Sequence, residues 1–278
     1  SCDLAKGAVV IPAGAIIRPA ELGLASSVGA HQLSVYRRPI VAVLSTGDEL
    51  ADVQHCVDGE LPKGKIFDAN RYMLLSTLED LGYETVDLGI AKDEYEDTAN
   101  RMAVAVTKAD CIISSGGVSM GEVDFVKDVL YNLQAEIHFG RVNMKPGKPA
   151  TFATRENTMF FGLPGNPVSA MVCFHLFVLP ALKQFEGKNP KATTVRAVTK
   201  EELRLDFQRP EYHRCALRFD EEKGVFTASS TGLQASHRLQ NMAGANGLIV
   251  LPVATNEQKA VPAGTTVDVI VIGPIENA

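Results

Sequence analysis

Cys111-Ile112-Ile113-Ser114-Ser115-Gly116-Gly117-Val118-Ser119-Met120-Gly121-Glu122-Val123-Asp124 is the stretch whose reading decides the fold. An apolar run passes straight into paired glycines, and Phe125–Leu133 follows with helical character. A short apolar run without alternation suits a strand buried on both faces. Cys111–Ser114 is therefore predicted as a strand entering a Gly-rich turn that opens a helix. Paired glycines let the backbone approach a ligand, and free N–H groups with the helix dipole favour an anion. The stretch is neither a Walker A loop nor a G-x-G-x-x-G fingerprint. By itself it is equally a plain turn. A place at the carboxyl end of a parallel strand favours a ligand site.

The same alternation extends outward in both directions. Ile40–Leu44 is a second apolar run. Asn70–Leu81 carries Leu74, Leu75, Leu78 and Leu81 at helical spacing and stops at Gly82. Thr85–Leu88 reads as a strand, and Glu94–Lys108 as a helix capped by Asp93. Met159–Gly162 is a strand, and Pro167–Phe185 a long apolar helix ended near Gly187. This pattern over residues 38–190 predicts an α/β domain, a parallel sheet with helices on both faces. Beyond a boundary near Gly187–Pro190, short strands are predicted at Val195–Val198, Cys215–Phe219, Val225–Ala228, Leu248–Leu251 and Val267–Ile272. Turns containing Gly224, Gly232, Gly244 and Gly264 separate them, which indicates a small β-barrel or sandwich over 191–278. Residues 1–37 read as strand, helix, strand, with Ala8–Ile11, Ala15–Ile17 and Leu33–Tyr36 as strand-like runs and Pro19–Ser27 as the helix. That unit is too small to bury its own core.

Composition narrows the function classes. The 278 residues are 46% hydrophobic and 22% charged, which is globular. The net charge of −6 with no basic stripe argues against nucleic-acid binding, so an anionic substrate needs a local cluster of Lys and Arg. Five cysteines without a C-x-x-C pair read as free thiols in a reducing compartment. No signal peptide is visible. The most apolar stretch, Met171–Leu182, falls short of the about 20 residues that span a bilayer. The chain opens on Ser1, and Ser1–Leu4 reads as a beginning inside a domain, so a fragment is expected.

Four further segments bear chemistry. Lys145-Pro146-Gly147-Lys148 places two ammonium groups on a rigid turn, which suits an oxyanion; a solvated basic turn is the alternative. Gly162-Leu163-Pro164-Gly165-Asn166-Pro167 is a helix start with Pro167 at N1 and Asn166 as cap, and equally a source of free N–H groups. Asp48, Asp68 and Asp124 should lie at the same sheet edge. Carboxylates facing phosphates act through Mg²⁺, although Asp48 and Asp68 are as readily plain caps. Arg209–Arg214 and Ser236–Leu239 hold arginines suited to oxyanions, or else ordinary surface charges. No His/Cys cluster has zinc spacing and no G-x-S-x-G elbow is present.

Taken in order, Ser45-Thr46-Gly47-Asp48-Glu49-Leu50, Asp68-Ala69-Asn70-Arg71, Ser115–Gly121, Lys145–Pro149 and Gly162–Pro167 resemble the molybdenum insertase family: MoeA, the plant insertase and the gephyrin E domain. Arg209–Arg214 and Ser236–Leu248 resemble that family's C-terminal part. Ala135–Val142 and Arg209–Cys215 are closest to its animal branch. The resemblance implies a MogA-like α/β domain at 38–190, a C-terminal β-barrel domain at 191–278 and the end of the family's first domain at 1–37. It implies a cytoplasmic homodimer, with a molybdopterin adenylyltransferase domain as a further partner. The implied substrates are adenylated molybdopterin and molybdate, with Mg²⁺ assisting; the products are molybdenum cofactor and AMP. The residue roles it implies are a phosphate cradle from Ser115, Gly116, Gly117, Ser119 and Gly121, flanked by Pro164, Gly165 and Asn166. Asp48, Asp68 and Asp124 hold the cation or position water, and Lys145, Lys148, Arg209 and Ser236 bind molybdate. The family's larger N-terminal part has no counterpart here. A gephyrin-like receptor scaffold is the alternative, but Val253 and Lys259 stand where gephyrin carries a proline and a tyrosine. Lys148 stands where gephyrin is apolar and the enzymatic branches carry lysine.

Overall fold

The computed structural model describes residues 4–56, 58, 60–117 and 125–277. In chain order its elements begin with helix α1 (Pro19–Ser27), strands β1 (Ile40–Thr46), β2 (Leu50–Ala51) and β3 (Ile66–Phe67), helix α2 (Asn70–Asp80), β4 (Glu84–Ala91), α3 (Tyr95–Val106) and β5 (Cys111–Ser115). Helix α4 (Phe125–Asn132), strands β6 (Glu136–Phe139), β7 (Thr151–Arg155) and β8 (Thr158–Leu163), and helices α5 (Pro167–Cys173) and α6 (Leu179–Phe185) follow.

Six of the strands form one sheet in the order β4-β1-β5-β8-β7-β6. The first four are mutually parallel, in registers such as Val43 beside Ile113 and Ile113 beside Phe161. The β6–β7 hairpin adds an antiparallel edge. Alternate residues of each central strand face opposite layers. Val41, Val43 and Ile113 pack with Leu74 and Leu78 of α2 and with the helix after β8. Ala42, Leu44 and Ile112 pack with Met102 of α3 and with Val126, Val129 and Leu130 of α4. Both faces are therefore covered, as the unbroken apolar strands require.

The helix after β8 runs Pro167–Phe185 with a π-helical turn at Phe174–Val178. Pro180 has no N–H to give the ladder, and an added residue per turn accommodates such a defect. By length and composition alone this helix is long enough to cross a membrane, unlike the shorter apolar stretch expected above. Its residues 168–174 are all buried in the core between sheet, α2 and barrel.

The second unit comprises β9 (Thr194–Thr199), β10 (Leu203–Arg204), β11 (Glu211–Asp220), β12 (Val225–Ser230), helix α7 (Gln240–Ala243), β13 (Gly247–Leu251), β14 (Ala260–Val261), β15 (Thr266–Val271) and β16 (Glu276–Asn277). Strands β12-β9-β15-β13-β11 pair in sequence, and β11 pairs back to β12, closing a five-stranded barrel. Ala197, Cys215, Leu217, Ala228, Ile249 and Val269 fill it. Its outer face is not free. Leu248 and Met242 join the core cluster of the sheet layer, with Tyr212 and Ile270 packed beside them.

Residues 4–39 depart from the expected strand–helix–strand. The helix Pro19–Ser27 is present, but no strand occurs there among the described residues, since no neighbouring strand accepts the ladder bonds. Val9 is 78% exposed and Val35 68%. The segment is tied down at its end, where Arg37 pairs with Asp110 and Arg38 Nη1 donates to the Gly82 carbonyl at 2.6 Å. Asp93 is not the cap of α3; Glu94 occupies that position without a side-chain bond, and the Asp93 carboxylate is used elsewhere. Of the five cysteines, Cys111, Cys173 and Cys215 are free and buried, and burial pushes the Cys173 and Cys215 thiols up to about 12.

Candidate functional site

A cavity of about 810 Å³ opens at the carboxyl ends of β1, β5 and β8, where loops leave adjacent parallel strands. The β1 loop brings Thr46, Gly47 and Glu49, and the β5 loop brings Ser115, Gly116 and Gly117. The β8 loop brings Pro164, Gly165 and Asn166. Leu50, Ile66 and Phe67 of the small β2–β3 flap form another wall, and the barrel contributes His237.

One side chain ties two of these loops together. Asn70, 8% exposed at the start of α2, donates through Nδ2 to Ser115 Oγ at 2.7 Å and to the Gly165 carbonyl at 2.7 Å. Both β5-loop glycines have positive φ, 86° and 65°. A Cβ at Gly116 would clash with the Thr46 carbonyl oxygen, and one at Gly117 would lie 2.7 Å from Thr46 Oγ1. Glycine is thus required both by conformation and by space. Thr46 Oγ1 is buried without a hydrogen-bond partner among the described residues, and Thr46 borders the cavity. Such an orphan hydroxyl carries a cost that a bound polar group relieves.

The carboxylates separate into two kinds. Asp68 is 4% exposed; its Oδ1 accepts from Ser45 Oγ at 3.0 Å and its Oδ2 meets Arg71 Nε at 3.1 Å. Arg71 is itself buried and also reaches Asp52 and Asp87. Burial alone would lower its affinity for the proton, but hydrogen bonds and charge from Asp87, Asp68 and Asp52 raise it, so it stays charged. Asp48 is exposed instead. Its Oδ1 accepts from the Asp93 N–H and Asp93 Oδ2 accepts from the Asp48 N–H, each at 3.2 Å. This reciprocal clasp joins the β1 and β4 loops and leaves each carboxylate one oxygen uncommitted among the described residues. Among the described residues, no three His, Cys, Asp or Glu side chains form a metal-holding cluster. Asp124, Ser119 and Gly121 lie outside the described residues.

The basic residues gather in another place. Lys145 N–H donates to the Pro210 carbonyl at 2.9 Å and Tyr212 N–H to the Lys145 carbonyl at 2.8 Å, stitching this loop to the barrel. Arg209 Nη1 points to the Met144 carbonyl at 3.4 Å. Lys145 Nζ pairs with Glu211 at 2.9 Å and Asp206 at 3.5 Å. It lines a smaller concavity of about 390 Å³ with Arg204, Asp206 and Phe207. Lys148 is half-buried, and no ion pair engages its ammonium among the described residues. Ser236 accepts through its carbonyl from Val168 N–H at 3.2 Å, so it sits at the start of α5 beside the Pro164–Asn166 loop. The structure thus brings Lys145 to Arg209, and Ser236 to Asn166. The larger cavity is bordered by Glu49, Asp68, Asp93 and His237, with no Lys or Arg among its described lining residues.

Sequence reasoning overlooked Asn70, Thr46, Asp93 and Phe67 as site residues. Thr46 and Asn70 lie inside quoted motifs, Phe67 directly precedes one and Asp93 reads as a cap, and the loop crossings that give them their roles have no sequence signal.

The class defined by this arrangement is a doubly covered α/β ligand-binding unit, with a glycine-floored cavity at its sheet edge, joined to a small barrel. Residues 42–184 match the family described as "Probable molybdopterin binding domain", and residues 196–272 match "MoeA C-terminal region (domain IV)". The chain belongs to this molybdenum-cofactor biosynthesis family. It is 38% identical to Gephyrin of Dictyostelium discoideum over 99% of its own length and 42% of that protein's. It is 38% identical to the Molybdopterin molybdenumtransferase of Haemophilus influenzae over 96% of its own length and 64% of that protein's. The MoeA crystal structure from Pyrococcus horikosii superposes with a TM-score of 0.76 at 27% identity, covering 94% of this chain and 61% of that one. The chain therefore spans between about two fifths and two thirds of these relatives.

Proposed function

We propose that this chain carries the molybdopterin-handling part of a molybdopterin molybdenumtransferase, acting on adenylated molybdopterin and molybdate to give molybdenum cofactor and AMP. The observation that supports it most directly is the glycine-floored cavity that Asn70 braces between the β5 and β8 loops, with a Thr46 hydroxyl at its edge that has no partner among the described residues. Gly116 N–H is committed to the Leu163 carbonyl at 3.1 Å, so among the described residues the Gly117 backbone and the Thr46 hydroxyl are assigned to phosphate oxygens. Ser119 and Gly121 carry the same assignment from sequence alone. Pro164, Gly165 and Asn166 close the opposite side.

The cavity's carboxylates would repel a phosphate, so a divalent cation fits the donor chemistry. Mg²⁺ is usually held by one or two carboxylates together with substrate phosphates and water. Asp48 and Asp93, each with an uncommitted oxygen, supply these, and Asp124 completes the set assigned from sequence. When bound, the cation neutralises charge on the phosphate oxygens. Asp68 is assigned a positioning role, because Arg71 and Ser45 already occupy its oxygens. Lys148 provides an ammonium for molybdate that no ion pair engages among the described residues. Lys145, Arg209 and Ser236 provide the barrel-side contacts, with Lys145 partly offset by Glu211.

The same reading assigns 38–190 and 191–278 as the two domains and 1–37 as the end of the family's first domain. The exposed apolar side chains of that first segment, such as Val9 and Val35, are the surface a neighbouring domain or a second subunit would cover. Within this reading the chain acts in the cytoplasm as a homodimer. The test is molybdate-dependent conversion of adenylated molybdopterin to active cofactor, with AMP release followed alongside. Turnover abolished by Lys148→Ala, with the fold intact, supports the roles given. Absence of both turnover and molybdate binding in the unaltered chain refutes them.

A further inference from the structure

The β2–β3 flap presents an aromatic ring in an unusual setting. Phe67 is 37% exposed and its neighbour Ile66 is 56% exposed, yet both border the principal cavity. An exposed aromatic on a two-residue strand normally has freedom to move. Here the backbone on either side is fixed. Ile66 N–H donates to the Glu49 carbonyl at 2.7 Å and Asp68 N–H to the Ala51 carbonyl at 3.0 Å. The next side chain, Asp68, is buried and held by Ser45 and Arg71. Behind the flap, Asp52 is bound by Arg71 and by the Tyr72 hydroxyl. A ring carried on a fixed backbone orders only its own side chain when a ligand stacks on it.

The cavity is therefore chemically two-sided. Its floor, at Thr46, Gly116 and Gly117, is polar backbone and hydroxyl, whereas Leu50, Ile66 and Phe67 on the flap are apolar. At about 810 Å³ it exceeds the needs of a lone oxyanion and falls in the range of cofactor sites.

We propose that Phe67 determines specificity in this cavity by stacking on the planar nitrogen heterocycle of a ligand whose phosphate rests on the Gly116–Gly117 floor. The heterocycle is a pterin or a purine, since a substrate that joins the two offers both. This deepens the reading above and rests on it. Stacking of a base on an aromatic side chain is sensitive to removal of the ring and tolerant of another ring.

The experiment titrates the unaltered chain, Phe67→Ala and Phe67→Tyr with a pterin monophosphate, with AMP and with inorganic pyrophosphate as the ring-free control. Phe67→Ala is expected to weaken one ring-bearing probe about tenfold, the order that loss of one stacked base gives. Pyrophosphate affinity stays unchanged and Phe67→Tyr restores binding. Loss confined to the pterin assigns the ring to pterin, and loss confined to AMP assigns it to purine. Equal loss for pyrophosphate, or no loss for either heterocycle, overturns the stacking role while leaving the phosphate floor intact. Failure of the unaltered chain to bind any of the three overturns the cavity reading together with it.

Discussion

Asn70→Ala tests whether one amide assembles the cavity. The substitution removes two 2.7 Å hydrogen bonds, to Ser115 Oγ and to the Gly165 carbonyl. An intramolecular hydrogen bond contributes about 0.5–1.5 kcal/mol net, and a buried group left unmet costs about 1–3 kcal/mol. The two acceptors differ. Gly165 is exposed, and its carbonyl regains water. Ser115 is 2% exposed, and its hydroxyl does not. The expected loss is therefore about 2–3 kcal/mol, dominated by Ser115. It is read as a fall in the urea midpoint at unchanged slope. Asn70→Asp keeps the shape of the side chain but turns the donor into an acceptor facing the Gly165 carbonyl, so it is expected to lose at least as much. Pyrophosphate affinity should fall in both variants, because the β5 and β8 loops lose their common anchor. Stability within about 0.5 kcal/mol of the unaltered chain for both variants, a typical surface-substitution effect, would refute the idea that Asn70 holds the loops.

Gly116→Ala and Gly165→Ala form a contrasting pair. The first adds a Cβ against the Thr46 backbone at a φ of 86° and is expected to lower the thermal midpoint by several degrees and abolish pyrophosphate binding. The second meets only Gly116 Cα at 3.7 Å and should be tolerated in stability; equal damage in calorimetry would contradict this geometry. Glu211 supplies a pH test. Burial would raise its pKa, but bonds from His213 and Lys145 outweigh this and hold it below the usual carboxylate range. Because the folded value is the lower one, its contribution is present above the unfolded value of about 4.3 and is lost as pH falls through the folded value. Glu211→Gln should therefore flatten the acid limb of a stability–pH curve, and an unchanged slope counts against the assigned shift. Arg214 is fully buried, and its Nε and Nη1 have no partner among the described residues. Arg214→Met is expected to raise stability by about 1–4 kcal/mol in chemical denaturation, the gain seen when buried charge gives way to apolar packing. A loss would mean that an anion or water pairs with the guanidinium in solution.

The central sheet was legible because its strands are buried on both faces. Ile40–Leu44 and Cys111–Ser114 have no alternation to misread, and Gly82 and Gly187 end the helices that cover them. The β6–β7 hairpin was not legible. It sits at the sheet edge, where Glu136 and Arg155 need not be apolar, and no tight two-residue turn joins its strands. The two-residue strands β2, β3, β10 and β14 are products of tertiary pairing and fall below any periodicity. Within the site, glycines and prolines announced the loops, since positive φ and fixed φ are local demands. The partition of charge was not announced. A local Lys and Arg cluster for an anionic substrate is the expectation from the negative total charge; the folded chain keeps Lys145 and Arg209 at the barrel seam and rims the glycine cavity with Glu49, Asp68 and Asp93. That partition depends on which loop ends meet across the sheet edge. Asn70 and the backbone bonds between Lys145 and the Pro210–Tyr212 segment settle it in three dimensions. A chain with the same motifs and a different seam would present the same residues to different anions. Sequence motifs therefore identify the parts of this site, and the contacts between loops determine which charge each part faces.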